Sequence, residues 1–489
     1  MKITLCQCKD ECCQHKPHAL IRRVEDALPQ SIEAVWKEPF QKDQEKDAAG
    51  CRVLRTVVDG EIQELVVLTM DKDAKTRAWQ KGLNKLYGKI SDLEIEDANL
   101  LLIGSYQDCE QVQIVKTLLL ATYSFDQFKG SGYSNKLEKE EDKSYKAGNW
   151  TICGEFSDTE KILEEGEILA ESIAHARDLV NLPANHLTPT ILAEKAQEYA
   201  KEYGFEIEVF GPKEIQEKGL EAYWSVAKGS DEEPRFIIMR YHNNPESKEI
   251  LGLVGKGLTY DSGGYDIKPG PGMVTMQSDM GGSAGTIGAI CALARAKAKV
   301  NVTAIVAACE NMVSGHAFRN GDIIGSLAGK SIDIVSTDAE GRLTLADAVC
   351  YAWKEEKVTA IIEMATLTGA CGVALGDKTT AVLADSEKLF EAATVASEIS
   401  GDKIWRLPID DEFEELNKSK RADIKNSGGR MGGTITAGLF VRAFANEIPF
   451  MHWDIAYTAW YSSADERDPE GGTGVGCELA YHSINKFFE

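Results

Sequence analysis

The order of apolar and polar positions divides the chain into two regions. In the first, VLRTVVDG and IQELVVLTM predict two strands joined by a turn at Asp59-Gly60. TRAWQKGLNKLYGKI has the apolar spacing of an amphipathic helix, and NLLLIGSY predicts a buried strand. NKLEKEEDKSYK, residues 135–146, is highly charged and nearly free of apolar side chains, which predicts a surface loop close to a domain boundary. From about Asp158 to Asn181 the pattern becomes a long helix, with Ile162, Ile168, Ile173 and Leu179 among its apolar positions. VNLPANHLTP follows as a turn-rich segment, and Thr188 to Tyr203 predicts a second helix. EIEVF, RFIIMRY, LGLVGKG, VNVTAIVAACEN, SIDIVSTD and VTAIIEMATLTG then predict strands separated by helices or loops. Strands alternating with helices imply a parallel sheet with helices on its faces. The expected architecture is α/β. A smaller N-terminal α/β domain spans residues 1–157. A larger domain spans 158–489, with a mixed, largely parallel sheet flanked by helices. At 489 residues the chain exceeds what one core holds, in line with that division.

Charge narrows the partners. With 78 acidic against 54 basic residues the formal net charge is -24, which disfavours nucleic acid and anionic membrane surfaces. It favours divalent cations and amine-bearing ligands. No apolar run approaches the roughly 20 residues a membrane helix needs, and the N-terminus lacks the apolar core of a secretory signal. Most of the 12 cysteines stand singly in apolar surroundings, as Cys291, Cys309, Cys350 and Cys371 do. That pattern fits reduced, buried thiols and a cytoplasmic location. Cys6, Cys8, Cys12 and Cys13, with His15 and His18, form a cluster whose spacing matches no common zinc pattern, and it reads as incidental.

The chemistry lies between Gly255 and Arg342. VGKGLTYDSGGYDIKPGPGMVTMQSDMGGSAG at one end and STDAEGRLTLADA at the other hold Lys256, Asp261, Lys268, Asp279, Asp338, Glu340 and Arg342. Polar residues follow the apolar runs: Lys256 after LGLV, Glu310 after TAIVAAC, Asp338 after IDIVS, Thr366 after AIIEMA. In open α/β sheets ligands bind outside the carboxyl ends of the strands. The four carboxylates are hard oxygen ligands, and two divalent cations sharing them would match four negative charges with four positive ones. Asp338 and Glu340, two apart, point to one side if the backbone is extended. Asp261 and Glu340 are candidates to bridge the two metals. Lys256 could ligate only as the neutral amine, which requires burial and nearby cations to depress its pKa. Lys268 and Arg342 then remain as a cationic surplus suited to an oxyanion or a bound anion such as bicarbonate. The expectation is a two-metal hydrolase.

Other readings weigh less. Asp261-Ser262-Gly263-Gly264 is also good turn chemistry, and Asp338 could cap a helix entering at Leu343. Neither explains seven such residues in this order. Gly281-Gly282-Ser283-Ala284-Gly285 matches the G-x-S-x-G nucleophile elbow, but MVTMQSDMGG before it does not read as a buried strand. There is no H-E-x-x-H and no P-loop. A two-metal enzyme acting on phosphoesters, and a structural or regulatory protein without enzymatic activity, are the rivals.

VGKGLTYDSGGYDIKP, SDMGGSAGT, CENMVSGHAFRNGDI and STDAEGRLTLADA resemble, segment by segment, the leucyl aminopeptidases, the cytosol aminopeptidase family. ARDLVNLPANHLTP before them, and ADIKNSGGRMGGTITAGLFVRAF and HWDIAYTAW after them, match in order. The resemblance runs from roughly Ala174 to the C-terminus, and DSGGYDIKP is most similar to the aminopeptidase B-like branch. It implies removal of an unblocked N-terminal residue, leucine-like or other, from peptides by two zinc or manganese ions per subunit. One metal would be held by Lys256, Asp261, Asp279 and Glu340. The other would be held by Asp261, Glu340 and Asp338, the last also through its carbonyl. It further implies that Lys268 stabilises the tetrahedral intermediate and that Arg342 holds a bicarbonate acting as general base. Met276 and the segment Thr366, Leu367, Thr368 and Gly369 would shape the substrate pocket, and the assembly would be a homohexamer. Ser336, Tyr260, Val313 and Ser283 depart from the usual Asn, Phe, Pro and Ala, and GPGMVTM differs from the usual stretch beside the pocket. None of these removes a ligand.

Overall fold

Asp59 and Gly60 both take positive φ, 53° and 85°. That is the requirement of a two-residue type I′ turn, and it closes a hairpin between Gly50–Val58 and Glu61–Met70. The hairpin is one edge of a six-stranded sheet in a computed structural model that describes residues 1–7, 17–28, 30, 32–36, 50–129 and 148–489. The charged segment 135–146 lies outside the described residues, as do Cys8, Cys12, Cys13 and His15. The described residues form two compact units. The first comprises Met1–Glu171 with Asp465–Arg467, and the second Ser172–Ala464 with Asp468–Glu489.

In the first unit the sheet order is Lys2–Gln7, Asn149–Gly154, Ala98–Leu102, Ala19–Arg23, Glu61–Met70 and Gly50–Val58. All neighbours but the hairpin pair are parallel. The amphipathic segment forms the helix Thr76–Asp92, burying Trp79, Leu83, Leu86 and Ile90.

The second unit is built on an eight-stranded sheet. Its order is Lys403–Arg406, Thr379–Ala384, Phe450–Asp454, Ala360–Ala365, Leu251–Asp261, Asn301–Asn311, Arg235–His242 and Glu206–Phe210. The four central strands are mutually parallel and almost wholly buried, so their sequences are continuous apolar runs without alternation. Antiparallel pairings enter towards both edges. Helices Pro189–Tyr203, Gly281–Arg295, Glu387–Ser400 and Cys477–Phe488 pack with one another, as do Glu221–Ala227, Gly341–Lys354 and Gly433–Arg442. Both groups touch the sheet. Thr188 caps the helix Pro189–Tyr203 by accepting from the Ile191 amide.

One predicted strand differs. SIDIVSTD yields only Ile332–Asp333, which pairs with Ile323–Ile324 and Ile424–Lys425 in a separate three-stranded sheet. Asp338 therefore reaches the site on a turn and not from the end of a main-sheet strand. No helix among the described residues is long and apolar enough to cross a membrane.

Candidate metal centre

Lys256 lies in mid-strand, not beyond the strand end as its place after LGLV suggested: Leu251–Asp261 is unbroken. Asp261 stands five positions after Lys256, an odd offset that in a regular strand sends two side chains to opposite faces. The register against Asn301–Asn311 resolves this. Lys256 pairs with Ala307 and Leu258 with Cys309, but Glu310 pairs with Tyr260 and Asn311 with Asp261. Thr259 is thus an extra residue, and the bulge returns Asp261 to the face of Lys256. Glu310 points the other way, where Ser230 Oγ donates to it at 2.6 Å, so it lies outside the cluster.

Beyond Asp261 the chain doubles back through Gly263 at φ +86°. A Cβ there would stand 2.5 Å from Asp266 O and 2.8 Å from Asp338 Oδ1, so only glycine lets this loop close on the second segment. Asp266 then accepts from Ser336 Oγ (2.8 Å), Thr337 N (3.0 Å) and Asn320 Nδ2 (2.8 Å). These bonds fix the turn bearing Asp338. Glu340 is helical, not extended as the two-residue spacing assumed, and stands at the N-cap of Gly341–Lys354 without a side-chain cap bond. Asp279 comes from the short 3₁₀ helix Met276–Met280.

Asp261, Asp338 and Glu340 each offer a carboxylate oxygen, and the three atoms lie within 4.8 Å of one another. Lys268 Nζ sits 2.8 Å from Asp261 Oδ2 and 2.6 Å from Asp338 Oδ1. Asp279 belongs to the neighbouring half. Lys256 Nζ is 2.7 Å from Asp279 Oδ2 and 3.2 Å from Glu340 Oε1, and donates to Thr366 O at 2.9 Å. Thr366 Oγ1 donates to Asp279 Oδ1 at 2.8 Å. Arg342 is buried and donates from Nη1 to Asn426 O at 2.9 Å. Leu367 is half-buried against the core, Gly369 opens the helix Gly369–Leu375, and Met276 is half-buried at the start of the 3₁₀ helix.

The electrostatics follow from crowding. Burial, then the charge of Asp261, raises the carboxyls of Glu340 and Asp338. Asp279 is also raised, by burial first, against the pull of Lys256. For Lys256 burial acts downward, as expected, but Asp279, Glu340 and Asp261 outweigh it and hold the ammonium above its usual range. Facing these carboxylates alone Lys256 is a cation, and the neutral amine expected from sequence is a state that requires cations beside it. Lys268 is raised in the same way, Asp261 and Glu340 overcoming burial. Burial pulls Arg342 down to about 10.

This donor set fits divalent cations. The carboxylates are hard ligands, and Glu340 Oε2 is buried with no hydrogen-bond partner among the described residues. A polar atom so placed is costly unless something pairs with it.

The family model of the cytosol aminopeptidase catalytic domain matches residues 174–481. The chain belongs to the cytosol aminopeptidase family. A probable cytosol aminopeptidase of Clostridium perfringens is 42% identical over 456 residues, 91% of each chain. Another, of Treponema denticola, is 45% identical over 420 residues, 85% of this chain and 86% of that one. A solved structure described as the bottromycin maturation enzyme BotP in complex with Mn superimposes with a TM-score of 0.82 at 28% identity. It covers 96% of this chain and 99% of its own. This cytosol aminopeptidase family member is accordingly a metal-dependent aminopeptidase, a peptide hydrolase.

The rival serine elbow fails on geometry. Ser283 lies in the first turn of Gly281–Arg295, wholly buried, with Oγ donating to Met280 O at 2.6 Å. Sequence reasoning missed three residues that hold the site. Asn311 Nδ2 donates to Asp261 Oδ1. Asn426 Nδ2 donates to Ser336 O and Ala339 O. Asp454 accepts from the Leu367 and Thr368 amides and from Thr368 Oγ1. All three stand in segments that carried the resemblance, which is the one signal they gave.

Proposed function

We propose that this aminopeptidase uses two divalent cations, zinc or manganese, to release the N-terminal residue, leucine-like or other, from peptides with a free amine. The observation that carries this reading is the convergence of Asp261, Asp338 and Glu340 within 4.8 Å, bordered by Lys256 with Asp279 and by Lys268. Lys256, Asp261, Asp279 and Glu340 would hold one cation. Asp261, Glu340 and Asp338, with the Asp338 carbonyl, would hold the other. Such a pair supplies a hydroxide nucleophile and polarises the scissile carbonyl. The BotP structure in complex with Mn supports a metal of this class.

The chain's own residues do the rest. With the carboxylates balanced by metal charge, Lys268 is free to face the developing oxyanion, and Arg342 would bind a bicarbonate that takes the proton of the nucleophile. Lys256 would then ligate as its neutral amine. Met276 and Thr366, Leu367, Thr368 and Gly369 would border the first side chain. We further propose residues 1–157 as an N-terminal domain and 158–489 as the catalytic domain, from the charged segment 135–146 and the helix pattern that follows it, a cytoplasmic location from the singly placed cysteines, and a homohexameric assembly from the family resemblance.

The test compares a free-amine dipeptide, its N-acetylated form and a phosphodiester. The reading expects cleavage of the first alone. Efficient cleavage of the acetylated peptide overturns the role of the amine, and cleavage of the phosphodiester in preference to either peptide overturns the substrate class.

A further inference from the structure

We propose that Asn311 is a positioning residue: its amide sets the spacing of Asp261 and Asp338, and with it the affinity and reactivity of the cation pair. The inference deepens the two-cation reading and rests on it.

Asn311 ends the strand Asn301–Asn311 and is wholly buried. The Thr259 bulge brings it into register with Asp261. One Nδ2 hydrogen goes to Asp261 Oδ1 at 2.8 Å and the other to Thr337 O at 3.0 Å. A single planar amide therefore joins the carboxylate of one segment to the residue preceding Asp338 in the other. The main chain adds a second tie, since the Asn311 carbonyl accepts from Ser262 N at 3.0 Å and Ser262 Oγ at 2.7 Å.

The chemistry of the amide suits this task. Asp261 Oδ1 also accepts from Gly263 N at 2.8 Å, so it takes two N–H donors. Its partner oxygen, Oδ2, faces Lys268 Nζ. The donors thus decide which oxygen of Asp261 is turned to the centre of the cluster. An amide does this without charge. A lysine or arginine in its place would add positive charge beside a site meant for dications, and a carboxylate has no hydrogen to donate. Groups that orient ligands in this way typically carry about 10–100-fold in metal affinity or activity.

Three full-length proteins test it: wild type, Asn311→Leu, which keeps the volume but loses both donors, and Thr303→Val as control. Thr303 is equally buried on the same strand, far from the cluster, and bonds His242. Each is stripped of metal, checked for cooperative thermal unfolding, titrated calorimetrically with Mn²⁺, and assayed on an aminoacyl amide. Asn311→Leu should bind Mn²⁺ about 10–100-fold more weakly and lose about as much in kcat, with KM changed by less than about threefold. Thr303→Val should keep wild-type affinity and kcat. If Asn311→Leu does not fold, Asn311→Ala, which cannot clash, is read in the same assays with the same expectation. Wild-type Mn²⁺ affinity in the Asn311 variant overturns the positioning role and leaves the two-cation reading standing. Equal weakening in Thr303→Val also overturns it, because the effect would then be one of general stability. A wild type that binds no Mn²⁺ overturns the two-cation reading itself.

Discussion

Replacing Lys268 with methionine should separate catalysis from metal binding. The ammonium lies 2.8 Å from Asp261 Oδ2 and 2.6 Å from Asp338 Oδ1, with 19% of the side chain exposed. At an effective dielectric of about 20 each contact carries roughly 6 kcal/mol of Coulomb attraction, most of it offset by desolvation. That attraction competes with any cation that Asp261 and Asp338 bind. Methionine keeps the length of the chain and removes the charge, so Mn²⁺ affinity should hold or rise. The catalytic loss should resemble that of one missing donor to an oxyanion, about 100–1000-fold in kcat, or roughly 2.7–4 kcal/mol. Steady-state kinetics on an aminoacyl amide, with calorimetric Mn²⁺ titration of the same preparation, reads both quantities. A kcat within threefold of wild type would refute the role given to Lys268. A kcat that fell only because the metal was lost would make Lys268 a structural counter-ion.

Further outcomes follow from single contacts. Asp454→Ala leaves the Leu367 and Thr368 amides and the Thr368 hydroxyl without their shared acceptor. Each unmatched buried donor costs about 1–3 kcal/mol, so the melting temperature should fall and KM should rise more than kcat changes; an unaltered KM would remove the 366–369 segment from the pocket. Ser283→Ala should keep activity within about twofold, losing one bond to Met280 O worth about 1 kcal/mol of stability; a loss beyond tenfold would revive the serine hydrolase. Asp347 is buried, and burial pushes its carboxyl up to about 7, whereas in the unfolded chain it ionises near 3.9. The folded state then holds the proton more tightly, so its contribution is complete below about pH 4 and lost as pH rises to about 7. Asp347→Asn should flatten that part of the stability–pH curve, and identical slopes would contradict the assignment.

Much of the second unit was legible because its central strands are buried on both faces. Runs such as LGLVGKG and VNVTAIVAACEN have no other soluble home, and their order with intervening helices gives the parallel core. The hairpin at Asp59-Gly60 was equally legible, since few residue pairs accept two positive φ values. SIDIVSTD misled because an apolar run does not say which sheet it joins. Asp333 is held by Ser419 and Arg421 in the small sheet, and Val335 is exposed. The acidic ligand candidates were visible as residue types, whereas their convergence depends on a bulge at Thr259 that no spacing announces. Glu310 has the same place at a strand end, but it alternates with Asn311, which faces Asp261, and so turns to the opposite side, towards Ser230. Asn311, Asn426 and Asp454 act across 50, 90 and 87 residues of sequence, and a polar residue at a strand end reads as a turn former until its partner is known.

The central claim is hydrolysis by two cations held between Lys256 and Glu340. It is met most directly by stripping the full chain of metal and adding back Zn²⁺ or Mn²⁺. Bound metal per chain is counted while a panel of aminoacyl amides is assayed, with Asp338→Asn alongside. The account predicts no release of amino acid without metal, recovery as occupancy approaches two per chain, and failure of the variant to recover. Full activity in the stripped protein, or recovery complete at one metal and unaffected by Asp338→Asn, would contradict it.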